Sequence, residues 1–246
     1  MLPFLKNHPF AVEAFFKSSL VLTFAVPKEQ VQPLIPECLR LDTFKDKWAF
    51  IAVAMVQTKG LRPKGLPQFF GNDFFLIGYR VFVRYINKAG KNLRGLYILK
   101  SETDREKMTF FGNIFTRYNY TTTDITQVLK NGTLEINSKR SGFELQVENP
   151  VSQHISLPVA SPFNDWKEAR RFAGPLPFTF TYNPVSRKVL VVEGVRENWT
   201  PVPVKVLNYH FSFLDNMNLT GVKLANAFII ENIPYYWKKG KLEQWN

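Results

Sequence analysis

FFLIGYRVFVRY, residues 74–85, alternates along its second half: Tyr79, Val81, Val83 and Tyr85 point one way, and Arg80, Phe82 and Arg84 the other. That period is a strand's, with one apolar face and one face carrying two arginines. If the strand closes into a barrel, one of those faces becomes the interior. An arginine pointing inward must then be paired or line a cavity, because an unpaired buried charge is too costly. Both arginines standing outside in water is the equally open alternative.

The flanking sequence favours closure. SLVLTFAV (19–26), LRLDTF (39–44) and KWAFIAVAMVQT (47–58) read as strands, the last apolar on both faces and therefore central. PKEQVQPLIP (27–36) is a helical turn, with Pro27 suited to the first position and Pro36 ending it. LRPKGLPQFFGND (61–73) is a Pro/Gly-marked loop. Beyond GLYILK (95–100), YTTTDITQVL, TLEINS and FELQVE form a meander with turns at Asn131-Gly132 and Ser141-Gly142. A helix is expected in NDWKEARRFAG (164–174), capped by Asn164 and ended by Gly174. FTFTYN, RKVLVVEGV, VKVLNYHFSF and VKLANAFIIENIPYYW complete the strands. Many strands, few helices and no strand–helix alternation predict a mainly β (α+β) chain: one antiparallel sheet bent into a barrel or cone, a few peripheral helices, and a single domain over 1–246.

Composition sets the outer limits. A chain of 246 residues buries roughly three quarters of its unfolded surface and needs no disulfide or metal staple. Its 23 phenylalanines favour a β-rich core or an apolar cavity. The one cysteine, Cys38, reads as an inert packed thiol, and His8, His154 and His210 lie too far apart for ligand spacing, so no metal is expected. The N-terminal segment has neither a clean apolar core nor a cleavage site, and no window supports a spanning helix, which predicts a cytoplasmic, soluble protein without membrane attachment. The net charge of +12 is dispersed, with basic residues never more than two together. That pattern disfavours nucleic acid and instead suits long-range attraction of a small anion. No G-x-S-x-G elbow, P-loop or dinucleotide fingerprint occurs, His210 shows no acid–nucleophile set, and no cofactor is expected.

GLYILKSETDREKM (95–108) passes from a strand into a helix. Thr103 and Glu106 fit a capping box, and the helix is expected to run to about Tyr118 with Met108, Phe111, Phe115 and Tyr118 as its buried stripe. Lys107 falls on the edge of that stripe. Either its stem lies on Phe111 with the amine in water, or the amine has chemistry to perform.

VPKEQVQPLIPECLRLDTF (26–44), followed by KWAFIAVAM, resembles the opening of the YqjF-like family, domain of unknown function 2071, within the acetoacetate decarboxylase-like superfamily. GYRVFVRY, the passage from Gly95 to Tyr120 and the closing NAFIIENIPYYW continue the likeness in order, over roughly residues 15 to 237. The resemblance implies a cone-shaped, mostly antiparallel β-barrel with an apolar central cavity. In the decarboxylases a lysine at the start of the helix after this strand forms a Schiff base with a β-keto acid, and an adjacent lysine depresses its pKa. Carried over, the nucleophile falls at or next to Lys107, and the preceding glutamate on Glu102. The basic pocket residue before the first strand falls on Lys17. The paired lysine is replaced by Met108, with Glu106 on the other side, so only Arg105 is left to supply the second positive charge. Lys107 and Glu102 are thus the catalytic candidates, and Arg80, Lys17, Arg105 and Met108 the candidates to contact ligand.

The expected function is a pocket protein for a small organic acid or keto compound, acting as a decarboxylase-like lyase or as a non-catalytic binder or sensor. The alternative class is a nucleic-acid module using Phe69, Phe70, Tyr235, Tyr236 and Trp237 for stacking. The run IPYYW also suits an edge strand or the contact of a homo-oligomer.

Overall fold

Two adjacent strands are apolar on both faces because each has something to bury on either side. In a computed structural model that describes residues 3–148, 156–173 and 176–245, they are β1 (Val12–Pro27) and β3 (Trp48–Pro63), antiparallel neighbours over almost their whole length. Between them come α1 (Lys28–Val31) and β2 (Arg40–Leu41). The chain continues through β4 (Asn72–Ile86), β5 (Asn92–Thr103), α2 (Glu106–Phe115), β6 (Tyr120–Thr122), β7 (Thr126–Lys130), β8 (Thr133–Ser138) and β9 (Phe143–Glu148). It ends with α3 (Trp166–Ala173), β10 (Phe178–Asn183), β11 (Lys188–Arg196), β12 (Val202–Pro203), β13 (Val206–Phe211), α4 (Ser212–Asp215), β14 (Lys223–Trp237) and β15 (Lys241–Gln244).

The larger sheet runs β14-β1-β3-β4-β5-β10-β11, and β11 pairs again with β14 through Gly194–Arg196, so these strands close a ring. The result is a barrel-like ring, mainly β with peripheral helices, as expected. Two features go beyond the expectation. The seam between β5 and β10 is parallel, as is that between β5 and the short β6. The meander β7–β8–β9, joined by β13, forms a separate four-stranded sheet.

The two faces of the ring differ in side-chain size. On β3, Ile51, Val53 and Met55 face outward into packed core, whereas Ala52, Ala54 and Val56 face inward. Small residues on the inner column leave space; large ones on the outer column fill it. Leu20, Leu22, Phe24, Ile77 and Tyr79 pack outward against Ile136, Phe143 and Leu145 of the second sheet. One end of the ring is closed by an aromatic cluster in which Phe50 lies 4.7 Å from Phe172, 5.5 Å from Phe163 and 5.8 Å from Phe82.

Several local readings are corrected. Helix α2 starts at Glu106, not after a Thr103 cap, because Thr103 stays in β5 opposite Leu76 and Asp104 accepts the Phe75 N–H at 2.8 Å. It stops at Phe115, because Thr116 is extended and its hydroxyl turns back to the Gly112 carbonyl at 2.8 Å. Helix α3 is capped by Asp165, which accepts the Glu168 N–H at 2.8 Å, while Glu168 takes the N–H of Asn164. Gly174 and His154 lie outside the described residues. The Asn131-Gly132 turn forms as read, both residues at positive φ. No helix among the described residues is long and apolar enough to cross a membrane.

Candidate functional site

The inward faces of β1, β3, β4, β5 and β14, roofed by α2, enclose a cavity of about 600 Å³. Its wall is mostly hydrocarbon. Met108, Phe111 and Phe115, the stripe read from sequence, line it instead of packing against solid core. Gly112 brings the helix close: a β-carbon there would stand 2.5 Å from the Tyr120 ring. The roof is pinned by the His8 N–H to the Phe115 carbonyl at 3.1 Å, and by the Gly240 N–H to the His8 carbonyl at 2.9 Å.

The ionisable groups in this wall, the phenols aside, are all basic. His8, Arg62, Arg80, Lys107 and Arg196 line the cavity, and among the described lining residues there is no aspartate or glutamate. Arg62 is neutralised by Glu13 at 2.7 Å. Arg80 is not neutralised. It projects inward from β4, makes no ion pair or hydrogen bond among the described residues, and its Nε is fully buried without a partner. Burial holds its guanidinium below the usual arginine range, partly offset by the electrostatics of Tyr235, Tyr120 and Tyr118 and reinforced by the like charge of Arg196. The other arginine of the strand face, Arg84, has a partner: with Arg94 it clasps the buried Asp42 carboxylate at 2.7 and 2.6 Å. One face of one strand thus carries a structural arginine and an unpaired one.

Three phenols surround Arg80. Burial pushes Tyr120 up to about 12 and Tyr118 higher still, so both are neutral donors across the ordinary pH range. Tyr235 accepts from Arg196 at 2.8 Å, and the Arg196 guanidinium lies 4.2 Å from the Trp199 ring centroid. Arg196, Tyr120 and Tyr235 were absent from the sequence-derived site. The available signal was GYR at 78–80 and GVR at 194–196. In each, a glycine stands two residues before an arginine on the same strand face and leaves room for a polar head: the Arg80 guanidinium over Gly78, the Tyr235 hydroxyl over Gly194.

The remaining candidates divide by face. Met108 lines the cavity with Arg80, and Lys107 stands at its edge, exposed to solvent and with no ion pair or hydrogen bond among the described residues. Glu102 does not line it. It lies buried on the other face of β5, paired with Lys100 at 2.8 Å and accepting from Ser141 at 2.7 Å. Arg105 is 64% exposed and turns to Asp104, and Lys17 is exposed on β1 outside the cavity. The positive charge that Arg105 was expected to bring beside Lys107 therefore points elsewhere.

His210 does have local partners, contrary to the reading of the sequence. Its Nδ1 is 3.1 Å from Asp215 and its Nε2 is 3.2 Å from the Ser212 hydroxyl. The hydroxyl donates instead to the Gly142 carbonyl at 2.7 Å, which ties α4 to the β8–β9 turn. Its proton is committed to that turn, so the cluster is a brace and not a nucleophile with its base.

The fold is similar to that of solved acetoacetate decarboxylase-like proteins. Acetoacetate decarboxylase from Legionella pneumophila subsp. pneumophila aligns over 96% of this chain and 88% of its own, with a TM-score of 0.64 and 11% identity. An acetoacetate decarboxylase-like enzyme from Sphingomonas wittichii RW1 aligns over 100% and 98%, with a TM-score of 0.57 and 12% identity. The enduracididine biosynthesis enzyme MppR, complexed with pyruvate, aligns over 95% and 90%, with a TM-score of 0.57 and 11% identity. At such identities the likeness is one of fold. No curated protein matches the chain. Residues 14–234, which include the inward strands, the α2 roof and both glycine–arginine pairs, match the model of DUF2071, described as an uncharacterized conserved protein, and the chain belongs to that family.

Proposed function

We propose that this protein binds a small organic acid in the ring cavity, with the carboxylate on Arg80. The observation that carries this reading is the guanidinium itself, half-buried with its Nε enclosed, and without an ion pair, a hydrogen bond or a lining carboxylate among the described residues. A guanidinium whose Nε is shut off from water without a partner is destabilising until one arrives. A carboxylate suits the guanidinium fork in two parallel hydrogen bonds, and Tyr120 and Tyr118 stand ready as neutral donors to the same oxygens. The pyruvate complex of MppR supports a keto acid as one ligand class by analogy of fold.

A second reading, imine chemistry, is favoured by Lys107, an unpaired amine at the edge of the same cavity. A free amine would attack a ligand ketone and lose water to form the imine. With a β-keto acid, cleavage of the bond to the carboxylate would then send its electron pair to the protonated imine nitrogen as carbon dioxide leaves, giving an enamine. The enamine takes up a proton at carbon and is hydrolysed by water to release the ketone and the Lys107 amine. The departures from the decarboxylases weigh against this: Arg105 points away and Glu102 is on the far face of β5. Binding without catalysis is therefore the primary reading. Stacking on nucleic acid has less support, because Tyr235 and Trp237 turn into the cavity, where Tyr235 stacks on Phe16 at 4.6 Å.

The test is calorimetric titration of wild type and Arg80→Met with short carboxylic and keto acids and the matching alcohols, followed by borohydride trapping with Lys107→Ala as control. Acid-selective binding lost in Arg80→Met is the expected result; acids and alcohols binding alike would overturn the carboxylate reading. A reduced adduct on wild type that is missing from Lys107→Ala would establish the imine.

A further inference from the structure

The cavity is much larger than a keto acid. At the roughly 30 Å³ that a molecule takes in liquid water, six or seven heavy atoms fill about a third at most of 600 Å³. The remaining space is apolar and has a direction. Along β4 the lining residues are Asn72, Phe74, Leu76, Arg80 and Phe82, with Gly78 in the same row. Arg80 is next to the closed end, where Phe82 meets Phe50 and Phe172. The opposite end is marked by lining residues that remain accessible: Phe70 at 53%, Leu66 at 43% and Phe111 at 41%, with the exposed Lys107 the one charged group among them. Eight residues of strand, at about 3.3 Å each, separate Arg80 from Asn72 at that rim, a path of roughly 26 Å. Leu61, Phe16, Thr58 and Val56 border it on β1 and β3.

A polar terminus at the closed end and a long hydrocarbon passage to an apolar rim match an amphiphile inserted head first. Resting on the carboxylate reading of Arg80, we propose that the ligand is a monocarboxylic acid with a long apolar body, of the fatty-acid class, its head on Arg80, Tyr118 and Tyr120 and its tail leading past Val56 and Leu76 to Phe70. The volume accommodates on the order of twenty water-sized groups, so a chain of about twelve to sixteen carbons fits. The small inner column of Ala52, Ala54 and Val56 is then a specificity device: it keeps open the space that the outer column of the same strand fills. The exposed Leu66, Phe70 and Phe111 are the entry lip, apolar because the tail passes over them.

The test is a chain-length series of straight monocarboxylic acids from four to eighteen carbons, below their micellar range, with the alcohols of equal length, titrated into the whole chain by calorimetry. Affinity for the acids should rise roughly fourfold per methylene, the fold-change that corresponds to about 0.8 kcal/mol per buried CH₂, and then level off at one ligand per chain. Val56→Phe should move the levelling point to shorter acids and leave the shortest unaffected; Leu61→Trp, nearer the rim, does the same should Val56→Phe fail to fold. Arg80→Met should remove the preference for acid over alcohol and keep the dependence on length. Acid-selective binding that does not change with chain length would overturn the amphiphile and leave the carboxylate reading intact. Acids and alcohols of equal affinity at every length would overturn both.

Discussion

The guanidinium of Arg80 lies over the α-carbon of Gly78: a β-carbon built on Gly78 would stand 2.8 Å from its Nε and 3.0 Å from its Nη2. The two residues share a face of β4, so the glycine is the floor on which the charged head rests. Gly78→Ala should therefore push the head aside at little cost to the fold. The obstructing atoms belong to the end of a flexible side chain, and alanine in a strand recovers about 0.5–1 kcal/mol of backbone entropy. We expect affinity for acids to fall about tenfold while the thermal midpoint stays level or rises. Unchanged affinity would mean that Arg80 does not hold the anion.

Arg80→Met should separate stability from binding. An arginine kept unpaired in an enclosed wall is retained at the expense of the fold, and an apolar residue of similar length relieves that strain. Stabilisation of about 1–3 kcal/mol is expected by chemical denaturation in the absence of ligand, together with loss of acid binding. Destabilisation would show that Arg80 is paired in solution, and the site would then lose its charge.

Much of this site was legible in FFLIGYRVFVRY, because period two and the cost of a buried charge posed the right question about Arg80. The answer depended on a partner far away in sequence: Arg84 finds Asp42, and Arg80 finds none among the described residues. The decarboxylase-like opening and the order of strands likewise pointed to the ring. Glu102 illustrates the limit. Family spacing put it beside Lys107, but β5 carries an irregularity between the residues opposite Tyr79 and Arg80, so Ile98 and Ser101 face inward while Lys100 and Glu102 face the second sheet. A one-residue irregularity reverses a face, and nothing in the residue types of LYILKSE announces it. The parallel seam was hidden for a related reason: β5 and β10 are separated in sequence by α2, the β7–β8–β9 meander and α3, and pairing direction is set by how the ring closes.

That seam has a residue requirement of its own. Gly95 pairs with Phe178 across it, and a β-carbon on Gly95 would collide with the Phe178 carbonyl and with the Phe180 ring. These are backbone and core atoms that cannot step aside. Gly95→Ala should separate β5 from β10 and destabilise by about 3 kcal/mol, at the upper end for overpacking. Hydrogen exchange should report the loss first at the amides of residues 95–97 and 178–180. Uniform loss of protection around the ring would instead make closure a single cooperative event.

His8 should give the fold an acid limit. Its ring is buried at the cavity edge, its Nδ1 has no partner among the described residues, and burial lowers its pKa below the usual 6.5. The native state therefore binds this proton less readily than the unfolded chain, whose histidine titrates near 6.5. By linkage the stabilising contribution is fully present above that value and is lost as pH falls from about 6.5 through the lower native pKa. The positive φ of 50° at His8 makes asparagine the fitting replacement, since it adopts this backbone readily and does not titrate. Denaturation midpoints measured from pH 8 down to 5 should decline below 6.5 in wild type, and the decline should be shallower in His8→Asn. Because His8 holds the end of α2 through its backbone N–H to Phe115, the amides of the α2 roof should lose protection together with the global midpoint in that window. Parallel profiles for the two proteins would place the acid-sensitive proton elsewhere.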